Sequence, residues 1–267
     1  MSTKKDLTNS QICVILIKGV KRLLKAVILA AGVGKRLKGY FDGPKCLLKI
    51  GEKRLIERYL NSLAKYGIKE VVIVVGYKKD EVIRFVHRND FQLKIKFIEN
   101  PDFKKGSIIS LWKAKDELKE NILVMDADVY CEEDVFKKII QSKKNNLLII
   151  DTTSKGVEEE VVAGIKNERI IEMSRALKGD FDILGEWVGF LKIDDAGANC
   201  LKEIVEQRIN NKEFESGYED VLPVLFKKIP FNYELVDGLQ WVEIDFPEDI
   251  KQAEHLEKLH LANKRCG

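Results

Sequence analysis

Two glycines, a basic pair and a lysine stand close together early in the chain. Leu29-Ala30-Ala31-Gly32-Val33-Gly34-Lys35-Arg36-Leu37 overlaps the end of the apolar run Lys25 to Ala30. Gly32 and Gly34 reach backbone angles that other residues avoid, so successive N–H groups can face a polyphosphate while Lys35 and Arg36 add positive charge. The stretch is not a Walker loop, and Leu37 stands where G-x-G-x-x-G needs its third glycine. A tight turn with two solvated cations accounts for the same residues. Gly43-Pro44-Lys45 follows in a loop, where a lysine is either solvated or a point charge on a phosphoryl group. Two carboxylate pairs come later. Asp126-Ala127-Asp128 ends the apolar run Asn121 to Met125, and Glu243-Ile244-Asp245 ends a short run from Trp241. Carboxylates suit a hard cation such as Mg²⁺, which takes one or two of them and completes its shell with phosphates and water. They also suit turns, and Asp245 is placed to cap a helix opening at Pro247. If the strand at Trp241 lies beside Asn121 to Met125, Asp128 and Asp245 converge on one cation.

The elements around these residues follow from periodicity. Lys25 to Ala30, Glu70 to Val75, Asn121 to Met125 and Leu147 to Ile150 are apolar strands, with a further strand at Leu93 to Ile98. Helical stretches at Arg54 to Tyr66, Lys79 to Val86, Ser107 to Leu118 and Glu132 to Gln141 separate them. Wholly apolar strands between amphipathic helices predict a doubly wound, mostly parallel sheet covered on both faces. Ligands bind such sheets beyond the carboxyl ends of the strands, where the residues above stand. After Glu160 a hairpin is predicted around Lys166-Asn167-Glu168, then a strand at Leu184 to Ile193 and helices at Cys200 to Asn210 and Tyr218 to Phe226. Strands at Phe231 to Val236 and Trp241 to Ile244 precede a last helix from Pro247 to about Leu261. The reading is one α/β domain with a mixed, Rossmann-like sheet over residues 25–261, an N-terminal extension at 1–24 and a tail at 262–267.

Among 267 residues, 46 Lys and Arg balance 43 Asp and Glu, for a net charge of +3. Such balance argues against a nucleic-acid binder, whose affinity needs concentrated positive charge. The 45% hydrophobic content excludes a disordered chain. Five scattered cysteines and three histidines give no disulfide framework, zinc ribbon or histidine-based triad. The apolar stretch Ile12 to Ile17 is too short for a membrane span, and no cleavage site follows it. A cytoplasmic protein is expected. Abundant Lys and Glu with scarce Gln points in the direction of thermophile sequences.

The glycine loop, Pro44-Lys45, Asp128 and Asp245, in that order, resemble the nucleotidyltransferases of the sugar-1-phosphate and phospho-alcohol type, over about Lys25 to Leu256. The resemblance implies a GT-A-like fold. It places Gly32, Gly34 and Arg36 on the β- and γ-phosphates of a nucleoside triphosphate and Lys45 on the α-phosphate. Leu29, Ala30, Ala31, Lys35, Gly76 and Ser107 complete the nucleotide set, and Asp128 and Asp245 hold Mg²⁺. Lys45 and Arg36 would serve the chemistry: in-line attack of a phosphomonoester on the α-phosphorus, with pyrophosphate leaving. Lys35 departs from the usual Ser or Thr, and the segment Lys38 to Gly43 is short.

Gly76-Tyr77, Lys105-Gly106-Ser107, Met125 to Asp128 and Trp241 to Asp245 look closer to cytidylyltransferases that make CDP-alcohols. That implies CTP, with Ser107 nearest the base. For the acceptor, Glu186, Tyr218, Asp220 and Trp241 are the candidates, near Trp187 and Glu219. Aromatics with carboxylates suit an ammonium group, and carboxylates alone suit a polyol. Core packing is the other reading of the tryptophans. The composition favours inositol-1-phosphate over phosphocholine and 2-aminoethylphosphonate. A sugar-1-phosphate enzyme using UTP, GTP or dTTP and a non-catalytic nucleotide-binding regulator are the competing readings, and a homodimer stays open.

Overall fold

The computed structural model describes residues 24–153 and 160–266. The expected extension at 1–24 lies outside the described residues except for Leu24. In chain order, β1 (Lys25–Ala30) leads through the glycine loop to a hairpin of β2 (Lys49–Ile50) and β3 (Lys53–Arg54), then α1 (Leu55–Lys65). Next come β4 (Glu70–Val75), α2 (Lys79–His87), β5 (Lys94–Glu99), α3 (Ser107–Lys113) and β6 (Ile122–Asp126). A short β7 (Val129–Cys131), α4 (Glu133–Gln141) and β8 (Leu147–Asp151) follow. The second half holds β9 (Val162–Lys166), β10 (Arg169–Ser174), β11 (Ile183–Ile193) and α5 (Asp195–Asn210). It closes with α6 (Leu222–Phe226), β12 (Asn232–Leu235), β13 (Trp241–Glu243) and α7 (Pro247–Cys266).

The central sheet runs β10-β9-β11-β6-β1-β4-β5, with β8 paired to β11 and β12 paired to β8. β5, β4, β1 and β6 are mutually parallel, and β11 enters antiparallel to β6, β8 and β9. This is the mixed, mostly parallel α/β sheet expected. β1 shows why its sequence is wholly apolar: Val27 and Leu29 enter the core on one face, while Ala26, Ile28 and Ala30 enter the other. A third cluster, including Leu37, Tyr130, Val242 and Ile244, lies under the loops at one end.

Element bounds differ where local chemistry overrides periodicity. α5 starts at Asp195, ahead of the expected Cys200, because the Asp194 carboxylate accepts from the Gly197 N–H at 2.9 Å and caps the helix. Two expected helices break into short 3₁₀ turns, Lys115–Glu117 after α3 and Glu219–Val221 before α6. α7 runs past Leu261 to Cys266, since no glycine or proline interrupts it before Gly267. The hairpin turn falls on Asn167 and Glu168, both with positive φ.

The turn at Glu117 serves a purpose. Its carboxylate is 12% exposed and accepts from Lys25 at 2.8 Å and Lys96 at 2.7 Å, tying β1 and β5 together. Those hydrogen bonds hold the Glu117 carboxyl down at about 2. A lowered folded-state value stabilises the fold above the unfolded value near 4.5 and loses that stabilisation as pH falls toward 2. Glu117→Gln is expected to cost on the order of 1–2 kcal/mol at pH 7 and much less at pH 3, after allowance for solvent around Lys96. Thermal melts of both proteins at the two pH values check this. An equal cost at both would remove the ion pairs from the account.

Candidate active site

β1 delivers the glycine loop to the carboxyl end of the sheet. Leu29, Ala30 and Ala31 are buried, so any ligand meets them through backbone alone. Gly34 has φ 63°, and a Cβ there would lie 3.0 Å from Lys45 Cγ. Glycine therefore permits both the left-handed turn and the passage of the Lys45 side chain. Gly32 borders open space, and Lys35 is exposed above the buried anchor Leu37. Gly76 plays a supporting part. The next N–H, that of Tyr77, donates to Ala31 O at 3.0 Å, and a Cβ on Gly76 would come 2.6 Å from Phe103.

Lys45 Nζ donates to Asp128 Oδ2 at 3.0 Å and also to Asp245 Oδ1. Burial alone would depress its pKa, but Asp128 and Asp245 outweigh burial and hold the ammonium well above the ordinary lysine range. Arg36 Nη1 donates to Asp245 Oδ2 at 2.8 Å, with its guanidinium 4.9 Å over the Phe246 ring. These four charges lie together, and Asp128 and Asp245 approach each other by a route other than the expected pairing of the Trp241 strand with Asn121 to Met125. β13 lies beside β7, not beside β6, with Glu243 opposite Val129 and the Ile244 N–H donating to Asp128 O at 3.0 Å. Asp128 and Asp245 are thus brought together by the short strands that flank them. Asp245 does not cap α7. Asp249 accepts from the N–H groups of Asp245 and Phe246 at 2.8 and 2.7 Å, which leaves the Asp245 carboxylate to the cleft.

Glu243, named in the sequence as half of a carboxylate pair but not assigned to the cation, joins Asp128 and Asp245. Val242 and Ile244 are buried, so period-two alternation turns Glu243 and Asp245 to the other side. Burying such a side chain is worth about 1.5–3 kcal/mol, enough to fix that orientation. Carboxylate oxygens of Asp128, Glu243 and Asp245 lie within 4.8 Å of one another. Desolvation by the cleft walls, and then the charges of Asp128 and Asp245, push the Glu243 carboxyl up to about 8. Three hard oxygen donors whose mutual repulsion a cation would relieve fit Mg²⁺.

Two cavities meet at this cluster. One, of about 330 Å³, is lined by the glycine loop, Lys45 and Phe103. The other, of about 490 Å³, reaches Asp126, Glu186, Trp187 and Glu219. Arg36 and Asp245 line both. In the larger cavity Asp126 accepts from Tyr218 OH at 3.1 Å, and burial, then Asp128, Glu243 and Glu219, push its carboxyl well above the usual range. Gly189, at φ 84°, leaves room for it, since a Cβ would approach Asp126 Oδ2 to 2.9 Å. Ser107 lines the cavity and accepts from the Tyr218 N–H at 2.8 Å, so part of its role is to hold that loop.

The expected acceptor residues divide. Glu186 lines the larger cavity. Tyr218 is buried beneath it, edge-on to Trp187 at 5.6 Å. Asp220 accepts from the Gly217 N–H at 2.8 Å and lines a smaller neighbouring cavity of about 180 Å³. Trp241 lines neither main cavity: its indole N–H donates to Asp151 at 2.7 Å and its ring packs on the core. Arg175, in the loop after β10, lines the larger cavity, and no sequence signal marked it.

A phosphate-type glycine loop and a carboxylate cluster, at the carboxyl ends of a mostly parallel sheet, define a nucleotidyltransferase. The chain belongs to the MobA-like NTP transferase family, whose model matches residues 26–189. It is 34% identical over 243 residues to choline-phosphate cytidylyltransferase of Streptococcus pneumoniae, covering 88% of this chain and 99% of the relative. It is 26% identical over 252 residues to CTP:phosphoglutamine cytidylyltransferase of Campylobacter jejuni, covering 85% and 98%. It spans about half the length of bifunctional IPC transferase and DIPP synthases of Thermococcus kodakarensis and Aquifex aeolicus. The fold matches the inositol-1-phosphate CTP transferase of T. maritima with a TM-score of 0.72 at 19% identity, over 89% of this chain and 96% of that one. The regulator reading gives way: the chain is an enzyme of the nucleotidyltransferase class.

Proposed function

We propose that the enzyme transfers the cytidylyl group of CTP to a small phospho-alcohol, giving a CDP-alcohol and pyrophosphate, with inositol-1-phosphate the first acceptor to test. The observation that carries this reading is the junction of two cavities at Arg36 and Asp245. A triphosphate on the glycine loop and an acceptor in the larger cavity then meet at the carboxylate cluster. The names of the relatives support cytidine as the base. No described helix is long and apolar enough to cross a membrane.

In this reading the N–H groups of the glycine loop and Arg36 bind the leaving pyrophosphate, and Lys45 sets its charge against the α-phosphate. Asp128, Glu243 and Asp245 would hold Mg²⁺, which supplies charge neutralisation and orients phosphate oxygens when bound. An acceptor phosphate oxygen forms the new bond to the α-phosphorus as the bond to the pyrophosphate oxygen breaks. No covalent enzyme intermediate is required, because positioning and charge stabilisation suffice.

CTP, UTP, GTP and dTTP paired with inositol-1-phosphate, phosphocholine, 2-aminoethylphosphonate and glucose-1-phosphate, followed by pyrophosphate release, test the proposal. CTP with a phospho-alcohol is expected to give product. Turnover confined to glucose-1-phosphate and another triphosphate would sink the assignment.

A further inference from the structure

Six carboxylates, Asp126, Asp128, Glu186, Glu219, Glu243 and Asp245, line the larger cavity. A phosphomonoester acceptor approaches neutral pH with nearly two negative charges, since its second pKa is about 6. Like charges at contact distance repel strongly in a cleft of reduced dielectric, so the acceptor needs a cation of its own. The cations among the described lining residues are Arg36 and Arg175. Arg36 stands at the junction on Asp245, on the side of the glycine loop. Arg175 stands among the acceptor-side residues. Its Nη2 donates to Glu219 Oε1 at 2.9 Å, and its side chain is about half exposed. The pull of Glu219, and the fields of Asp220 and Glu243, raise its pKa further, so Arg175 senses the carboxylate cluster as well as its partner.

Resting on the cytidylyl-transfer reading, we infer that Arg175 binds the phosphate of the acceptor, exchanging Glu219 for phosphoryl oxygens and orienting the attacking oxygen. The guanidinium fork matches two phosphate oxygens at once, which an ammonium does not. Glu219 keeps the fork over the cavity until the acceptor arrives. The ion pair is partly exposed and therefore weak, so the exchange costs little.

Steady-state kinetics of the full chain with CTP and two acceptors, phosphocholine and inositol-1-phosphate, test the assignment. Arg175→Ala is expected to raise KM by about 10- to 100-fold for each acceptor that the wild type uses, with KM for CTP unchanged. Arg175→Lys should recover part of the loss. Glu219→Gln, which frees the guanidinium and removes one negative charge, should lower the acceptor KM. A rise in the CTP KM would move Arg175 to the nucleotide. Where the wild type uses both acceptors, a rise for only one of them would move Arg175 to the head group, and an equal loss in Glu219→Gln and Arg175→Ala would reduce the pair to a structural clasp. Each of these overturns the inference. Failure of the wild type to use CTP with any acceptor would overturn the cytidylyl-transfer reading itself, a result distinct from all three.

Discussion

Lys45→Ala is expected to lower kcat by about 10²- to 10³-fold, the range seen when one preorganised group facing transition-state charge is removed. The side chain is 15% exposed and held between Asp128 and Asp245, so its ammonium is already in place when substrate arrives. Its raised pKa keeps it charged across the working pH range, and no proton transfer is asked of it. Lys45→Arg should restore only part of the rate. Gly34 leaves a channel fitted to the lysine stem, and a planar fork is wider than an ammonium. The same substitution has a structural signature. Without Lys45, the carboxylates of Asp128, Glu243 and Asp245 lose their shared counter-charge. Added Mg²⁺ should therefore raise the melting temperature of Lys45→Ala more than that of the wild type. Rapid-quench measurement of pyrophosphate release, alongside thermal melts with and without Mg²⁺, reads both effects. A fall in kcat of less than about fivefold would take Lys45 out of the chemistry.

Much of this site was legible because its signals are local. β1 is wholly apolar since both of its faces are buried, and the glycine loop directly follows it. Asp128 and Asp245 stand at strand ends, where α/β sheets place ligand-binding residues. What could not be read depends on contacts between distant segments. The pairing of β13 with β7 is set by the shared burial of Tyr130, Val242 and Ile244, and no periodicity within Trp241 to Asp245 chooses β7 over β6. Glu243 was accessible in principle, two residues from Asp245 and on the same face of an alternating strand. Residue type alone cannot tell a cleft aromatic from a core one. Tyr218 buries its ring, Trp241 packs a partly buried ring on the core, and they spend their polar atoms on Asp126 and Asp151, which weakens an aromatic cage as the basis for choosing an acceptor. Arg175 lies in a loop whose position is fixed by the β9–β10 hairpin, and its spacing says nothing about its destination.

Asp245→Asn is expected to be more damaging than Asp128→Asn, although both residues belong to the same carboxylate cluster. Asp245 accepts from Lys45 through one oxygen and from Arg36 through the other, and it lines both cavities. Neutralising it removes a hard oxygen donor and also releases Arg36 and Lys45, the two cations proposed to hold the triphosphate. The Asp128 carboxylate accepts from Lys45, and its backbone carbonyl joins β7 to β13 through the Ile244 N–H. Each variant should raise the Mg²⁺ concentration for half-maximal rate by at least about tenfold, since Mg²⁺ depends on one or two protein carboxylates. Saturating Mg²⁺ should then recover most of the rate in Asp128→Asn, where Glu243 and Asp245 remain as donors. In Asp245→Asn a deficit of about 10²-fold in kcat should persist, because added metal does not restore the hold on Arg36 and Lys45. Metal titrations of the initial rate after chelation, with CTP saturating, distinguish the two. If turnover survived chelation, or if both variants kept the wild-type metal requirement, the cluster would have to be read as a charge frame for Lys45 and Arg36, with the metal bound elsewhere.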